Sequence, residues 1–136
     1  MKDIVIIEDD ETIREELKNF LTRYGYNVKI PTDFENIFSY LEKETYDLIL
    51  LDINLPFFDG HHICKEIRKK SDIPIIVVTS RNSDIDELMS INIDADDFIT
   101  KPYNTQILLA RIEAIFKRVY KNTKSNILKY NDLELD

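Results

Sequence analysis

Short apolar runs alternate along the chain with stretches whose apolar residues recur every three or four positions. Ile4-Val5-Ile6-Ile7 is apolar throughout, the pattern of a strand buried on both faces. From Thr12 to Tyr24 the apolar residues include Ile13, Leu17, Phe20 and Leu21, which is helical spacing, and Gly25 is suited to end that helix in a left-handed conformation. Tyr26 to Ile30 predicts a second, shorter strand. Phe34, Ile37, Phe38 and Leu41 mark a second helix. Leu48-Ile49-Leu50-Leu51 predicts a third strand, and Ile63 and Ile67 anchor a third helix that starts after Asp59-Gly60. Ile75-Ile76-Val77-Val78, preceded by Pro74, is a fourth strand, and Asp84 to Ile91 a fourth helix. Phe98-Ile99-Thr100 is a short fifth strand, followed by a long fifth helix from Thr105 to Tyr120.

Five strands alternating with five helices imply βαβ units and an α/β fold with a five-stranded parallel sheet. Right-handed crossovers place helices on both faces, giving a doubly wound, three-layer αβα architecture. In such sheets ligands sit at the carboxyl ends of the strands. Composition shifts once, after the fifth helix: Lys117, Arg118, Lys121, Lys124 and Lys129 stand among Asn122, Thr123, Ser125 and Asn126, a basic polar stretch that reads as a linker.

The length of 136 residues suits one domain plus a short extension. A formal net charge of −8 repels phosphate backbones, so this chain is not expected to bind nucleic acid strongly by itself. The single cysteine, Cys64, excludes an internal disulfide and fits a reducing cytosol. The opening apolar run is too short for a signal-peptide core, and no segment approaches the roughly 20 apolar residues of a membrane helix. A cytoplasmic protein is expected.

The strand ends carry the candidate chemistry. The first strand ends in Glu8-Asp9-Asp10, the third in Asp52, the fourth in Thr79-Ser80 and the fifth in Lys101-Pro102. Singly, each has an ordinary reading: acidic residues after a strand are often turn residues or helix caps, Thr79 a strand residue, Lys101 a solvated charge. Asp10 keeps that reading, as the cap of the first helix. Together they supply clustered carboxylates, a hydroxyl and an ammonium at one edge. Clustered carboxylates repel unless a cation sits among them, and few, hard oxygen ligands suit Mg²⁺. A carboxylate can act as nucleophile toward phosphorus, while a cation and hydroxyl stabilise the charge on the transferred group.

At this point the sequence resembles the receiver domains of two-component response regulators (CheY-like), over residues 2 to 120. The stretches that carry the resemblance are Ile4-Val5-Ile6-Ile7-Glu8-Asp9-Asp10, Leu50-Leu51-Asp52-Ile53-Asn54-Leu55-Pro56 with Asp59-Gly60, Val78-Thr79-Ser80, and Ala95-Asp96-Asp97-Phe98-Ile99-Thr100-Lys101-Pro102. The resemblance implies the flavodoxin-like strand order 2-1-3-4-5. It implies Asp52 as the phosphoacceptor for a sensor histidine kinase, and Glu8 and Asp9 as the acidic pair that holds Mg²⁺ with Asp52 and the backbone carbonyl of Asn54. Thr79 matches the switch hydroxyl and Phe98 the aromatic switch position. Lys101 would pair with a phosphoryl oxygen, with a cis Lys101-Pro102 bond.

Asp96-Asp97, Ala110-Arg111-Ile112 and Arg118 further resemble regulators of the OmpR/PhoB type, whose output is a winged-helix DNA-binding domain. That implies a homodimer on phosphorylation through the fourth helix, fifth strand and fifth helix, with Asp97 matched to Arg111 and Asp96 to Arg118. Two positions depart from the pattern: Glu87 stands where Lys is frequent and Ile107 where Glu is frequent, so one bridge is absent and a hydrophobic contact by Ile107 stands in for it. Residues 1–120 are then the receiver domain and 121–129 the linker. Residues 130–136 begin a winged-helix domain that the chain does not complete, and DNA would be bound only through that missing part. Glu87-Leu88-Met89-Ser90 and the fifth helix are similar to regulators that respond to bacitracin or other antimicrobial peptides.

His61 and His62 have no metal spacing around them and are expected on the surface. Cys64 is expected to be a small buried apolar residue. Phe57-Phe58, beside the phosphorylation loop, either faces a kinase or packs. Tyr103 is expected to cap the edge of the site. Two rivals remain for the function. A Mg²⁺ phosphatase needs a second acid close to Asp52, and Asn54 stands there. A pseudo-receiver that takes no phosphate usually lacks a site residue, and none is lost here. A GTPase is a weaker reading still, because there is no Gly-rich phosphate loop in a chain with two glycines.

Overall fold

A computed structural model describes residues 1–53, 55–57, 59–79 (Thr79 by its backbone) and 95–119. The strands are β1 (Asp3–Ile7), β2 (Asn27–Lys29), β3 (Leu48–Asp52), β4 (Ile75–Thr79) and β5 (Asp97–Thr100). They form one parallel sheet in the order β2-β1-β3-β4-β5, the order that the resemblance implies. The helices are α1 (Glu11–Arg23), α2 (Ile37–Lys43), α3 (Gly60–Arg68) and a last one over 105–119. The predicted fourth helix, the linker and residues 130–136 lie outside the described residues.

The apolar strand runs divide between two cores because successive side chains of a strand point to opposite faces. Ile4, Ile6, Leu48, Leu50, Ile76 and Val78 pack on one side against Leu17, Phe20 and Leu21 of α1 and Leu108, Leu109, Ile112 and Ile115 of the last helix. Val5, Ile7, Ile49, Leu51, Ile75 and Val77 pack on the other against Ile37 and Leu41 of α2 and Ile63, Cys64 and Ile67 of α3. With both faces covered, β3 is buried along its whole length. Burial of side chains of this size contributes about 1.5–3 kcal/mol each, so the sheet centre is the stiff platform from which the strand ends project.

Local signals set the element boundaries. Asp10 caps α1, its Oδ1 accepting from Ile13 N at 3.1 Å. Gly25 follows at φ 91°, the left-handed value its sequence position implies. Asp59 caps α3 by accepting from His61 N at 2.8 Å, and Asn104 Oδ1 accepts from Gln106 N at 2.7 Å ahead of the last helix. The second helix is entered through a 3-10 turn, Phe34–Asn36, whose preceding Asp33 makes no side-chain cap. β2 is shorter than Tyr26–Ile30. It is the edge strand, paired on one side only, and its residues are exposed or half-buried.

Candidate functional site

Parallel register brings the strand ends together. Ile7 pairs with Leu51, Asp52 with Val78, and Thr79 with Thr100. Glu8, Asp52 and Lys101 therefore leave three different strands at one level. Lys101 Nζ donates to Glu8 Oε1 at 2.5 Å and to Asp52 Oδ2 at 3.2 Å. One carboxylate oxygen from each of Glu8, Asp9 and Asp52 lies within 4.8 Å of the others. Glu8 and Asp52 are only 4% and 5% exposed, whereas Asp9 is open to solvent. Two supports hold this edge. Arg14 donates to the carbonyl oxygens of Glu8 and Asp9 at 3.1 and 3.2 Å. Gly60 lies directly on the backbone of Asp52: a Cβ there would stand 2.4 Å from the Asp52 carbonyl oxygen.

The charges are strongly coupled. Burial pushes the Glu8 carboxyl up to about 8. A hydrogen bond with Asp52 and its negative charge add to this, and Lys101 opposes it. Burial pulls the Lys101 ammonium down, but its bonds to Glu8 and Asp52 and their charges outweigh that, and the net direction is upward. Burial and the neighbouring negative charge thus favour a proton on Glu8, and Lys101 bridges the two carboxyl groups. The donors are hard oxygens, two buried and one exposed, and a divalent cation relieves such repulsion. Carboxylates few in number, with one side open to water, suit Mg²⁺. The residues present fit the ion.

Asn54 lies outside the described residues. The backbone of Thr79 ends β4 beside Thr100. Phe98 packs half-buried against the α2–α3 core. The Lys101-Pro102 peptide is cis. Tyr103 is half-buried beside Glu8 and Asp52, and burial, with the charges of Glu8, Glu16 and Asp52, pushes its hydroxyl up to about 12. Arg111 Nη1 reaches both carboxylate oxygens of Asp97 at 2.9 Å within the chain. Arg118 and Ile107 are exposed, Ile107 by 54%.

Three features were not foreseen. Asp96 is held within its own chain: Arg68 Nη2 donates to its Oδ2 at 2.7 Å, and Ile75 N donates to the same oxygen at 2.8 Å. No local pattern links residues 28 positions apart. The expectation of two surface histidines is corrected for one of them. His62 is exposed, but His61 is 6% exposed, with Nδ1 3.1 Å from Asp59 Oδ1. It lies on the face of α3 that carries Cys64, which is buried as expected. Phe57 adopts φ 68°, the one positive value at a non-glycine residue among the described residues.

Residues 4–113 match the model of the response regulator receiver domain. The chain is 41% identical over 120 residues to the transcriptional regulatory protein YxdJ of Bacillus subtilis, covering 88% of this chain and 52% of that protein. It therefore spans about half the length of this curated relative. A two-component response regulator from Clostridium difficile superimposes with a TM-score of 0.83 at 34% identity, over 88% of this chain and 98% of that one. The N-terminal domain of the nisin resistance regulator NsrR, described as a lantibiotic response regulator, does so at 0.77 and 39%, over 85% and 97%. The family is one of signalling switches rather than of turnover enzymes. On sequence, fold and strand-end chemistry together, the chain belongs to the response regulator receiver domains of two-component systems.

Proposed function

We propose that Asp52 accepts a phosphoryl group from the phosphohistidine of a sensor histidine kinase, and that this switches a transcription regulator. The observation that carries the reading is the convergence of Glu8, Asp9 and Asp52 with Lys101 bonded to Asp52. An Asp52 oxygen attacks phosphorus, the P–N bond breaks, and its electron pair stays on the imidazole. Lys101 supplies positive charge at the transferred oxygens, and Thr79 Oγ1 donates a hydrogen bond to one of them. Glu8, Asp9, Asp52 and the carbonyl of Asn54 would hold Mg²⁺, which adds positive charge against the phosphoryl oxygens when bound. Water attacking phosphorus later returns Asp52 to its carboxylate, slowly.

Phosphorylation shifts a two-state equilibrium in which Thr79 turns inward, Phe98 follows, and the surface around β5 changes its partner preference. Dimerisation then uses Asp96, Asp97, Ile107, Arg111 and Arg118 on a two-fold face. Residues 1–120 act as the receiver, 121–129 as the linker, and 130–136 open a winged-helix domain through which DNA is bound. The transcriptional role of YxdJ supports that output, and the lantibiotic response of NsrR supports a signal of the antimicrobial-peptide class. A cytoplasmic setting suits this scheme. Among the described residues no helix is long and apolar enough to cross a membrane.

The test is intact mass after incubation with phosphoramidate and Mg²⁺. One added phosphoryl group is expected, absent without Mg²⁺ and absent in Asp52→Asn. Unchanged mass with several donors would replace this reading by the pseudo-receiver.

A further inference from the structure

The turn from β1 into α1 carries the acidic pair, and one residue of α1 holds three successive carbonyl groups of that turn. Arg14 Nη1 donates to Glu8 O at 3.1 Å and to Asp9 O at 3.2 Å, and Arg14 N donates to Asp10 O at 3.0 Å. A guanidinium beside carboxylates ordinarily forks onto them, because charged, two-pronged hydrogen bonds are its strongest. Arg14 does not. It is half-buried beside Glu8, Asp9 and Asp10, yet it makes no ion pair among the described residues. Asp9 shows the consequence most clearly. Its side chain is exposed and has no hydrogen-bond or ion-pair partner among the described residues. Glu8, by contrast, is held by Lys101 and by Asp9 N.

A carboxylate that no side-chain bond orients takes its aim from its own backbone. The carbonyls of Glu8 and Asp9 belong to the two rigid peptide planes that meet at the Asp9 Cα. One nitrogen bonded to both fixes the planes relative to each other, and with them the direction in which the Asp9 side chain leaves. That direction brings an Asp9 oxygen within 4.8 Å of oxygens of Glu8 and Asp52. Groups that stand behind metal ligands set the ligands' orientation, and their loss weakens metal binding. The geometry points to Arg14 as the positioning residue of Asp9: it aims that carboxylate at the site while leaving its oxygens to a divalent cation. This deepens the Mg²⁺ part of the proposed function and rests on it. Charge alone predicts the opposite sign, since a guanidinium beside the site repels a cation.

The probe is MgCl₂ alone, titrated into the wild-type chain, Arg14→Ala and Arg14→Lys and followed through amide NMR cross-peaks. Alanine and lysine both suit a helix interior, so both variants should fold. In Arg14→Ala the Mg²⁺ dissociation constant should rise roughly 10-fold. Arg14→Lys keeps the charge and a donor group and should regain part of the affinity. Labelling by phosphoramidate gives a second readout. Arg14→Ala should need more Mg²⁺ for its half-maximal rate and should still reach the wild-type maximum. Unchanged or tighter Mg²⁺ binding in Arg14→Ala would overturn the positioning role and leave only repulsion. A lower maximum at an unchanged Mg²⁺ requirement would overturn it too. So would cross-peak changes throughout both cores in both variants, which would make Arg14 a residue of the fold. A wild-type spectrum that does not respond to Mg²⁺ would overturn the Mg²⁺ reading itself, and the positioning role with it.

Discussion

The chain holds two kinds of charge cluster, and they do opposite things. At the carboxyl edge of β1 and β3, Glu8, Asp52 and Lys101 sit in a buried triad with side chains 5%, 6% and 18% exposed. Beside β5, Asp97 and Arg111 pair with 24% and 46% of their side chains exposed. Removing charge from water costs several kcal/mol per ion, so the triad is a site of stored repulsion that a proton, a lysine or a metal ion must relieve. The exposed pair loses little solvation and gains little, and its worth is orientation. Asp96–Arg68 is intermediate, with 31% and 15% exposed. Burial, more than the number of charges, separates a reactive cluster from a structural one.

Lys101→Met should show the largest effect. It leaves two buried carboxylates without their cation, a change that costs about 3 kcal/mol or more in comparable settings. Chemical unfolding at pH 8 in chelator should register the loss, and Mg²⁺ should recover part of it. A loss below about 1 kcal/mol, the level of an exposed pair, would erase the contrast.

The second prediction concerns pH. Glu8 has a folded-state pKa raised from 4.5 to about 8. A raised pKa stabilises the fold fully below the unfolded value, and that contribution is lost as pH climbs through the folded one. In chelator, stability should therefore fall between about pH 4.5 and pH 8, with a slope no steeper than about 1.4 kcal/mol per pH unit, the limit for one proton. Thermal melts across that range should flatten in Glu8→Gln and in wild type with Mg²⁺. The same slope in all three would place the titrating group elsewhere.

Arg68→Ala should cost less, about 1–2 kcal/mol. It removes donors from Asp96 and from the Ile73 carbonyl together. Arg111→Ala should cost under about 1 kcal/mol, and added salt should shrink that further. Denaturant midpoints of the two variants order them, and reversal of that order would break the link between burial and effect.

Much of this was legible before any coordinates. Unbroken apolar runs named the central strands, and each of those runs stopped at a charged or hydroxyl-bearing residue. Handedness and parallel pairing then required Glu8, Asp52, Thr79 and Lys101 to share one edge. The acidic triplet after β1 also separated as expected, with Asp10 spent on capping α1 while Glu8 and Asp9 joined Asp52. These inferences hold because they depend on chain direction and side-chain alternation, which are local properties. The partner of each charge was not local. Lys101 stands closer to Glu8 than to Asp52, Asp96 takes Arg68 from the end of α3, and His61 turns inward where His62 turns out. Those outcomes depend on how far one loop lies from another once the helices have packed. Distances of that kind, and the burial that comes with them, exist only in the folded chain.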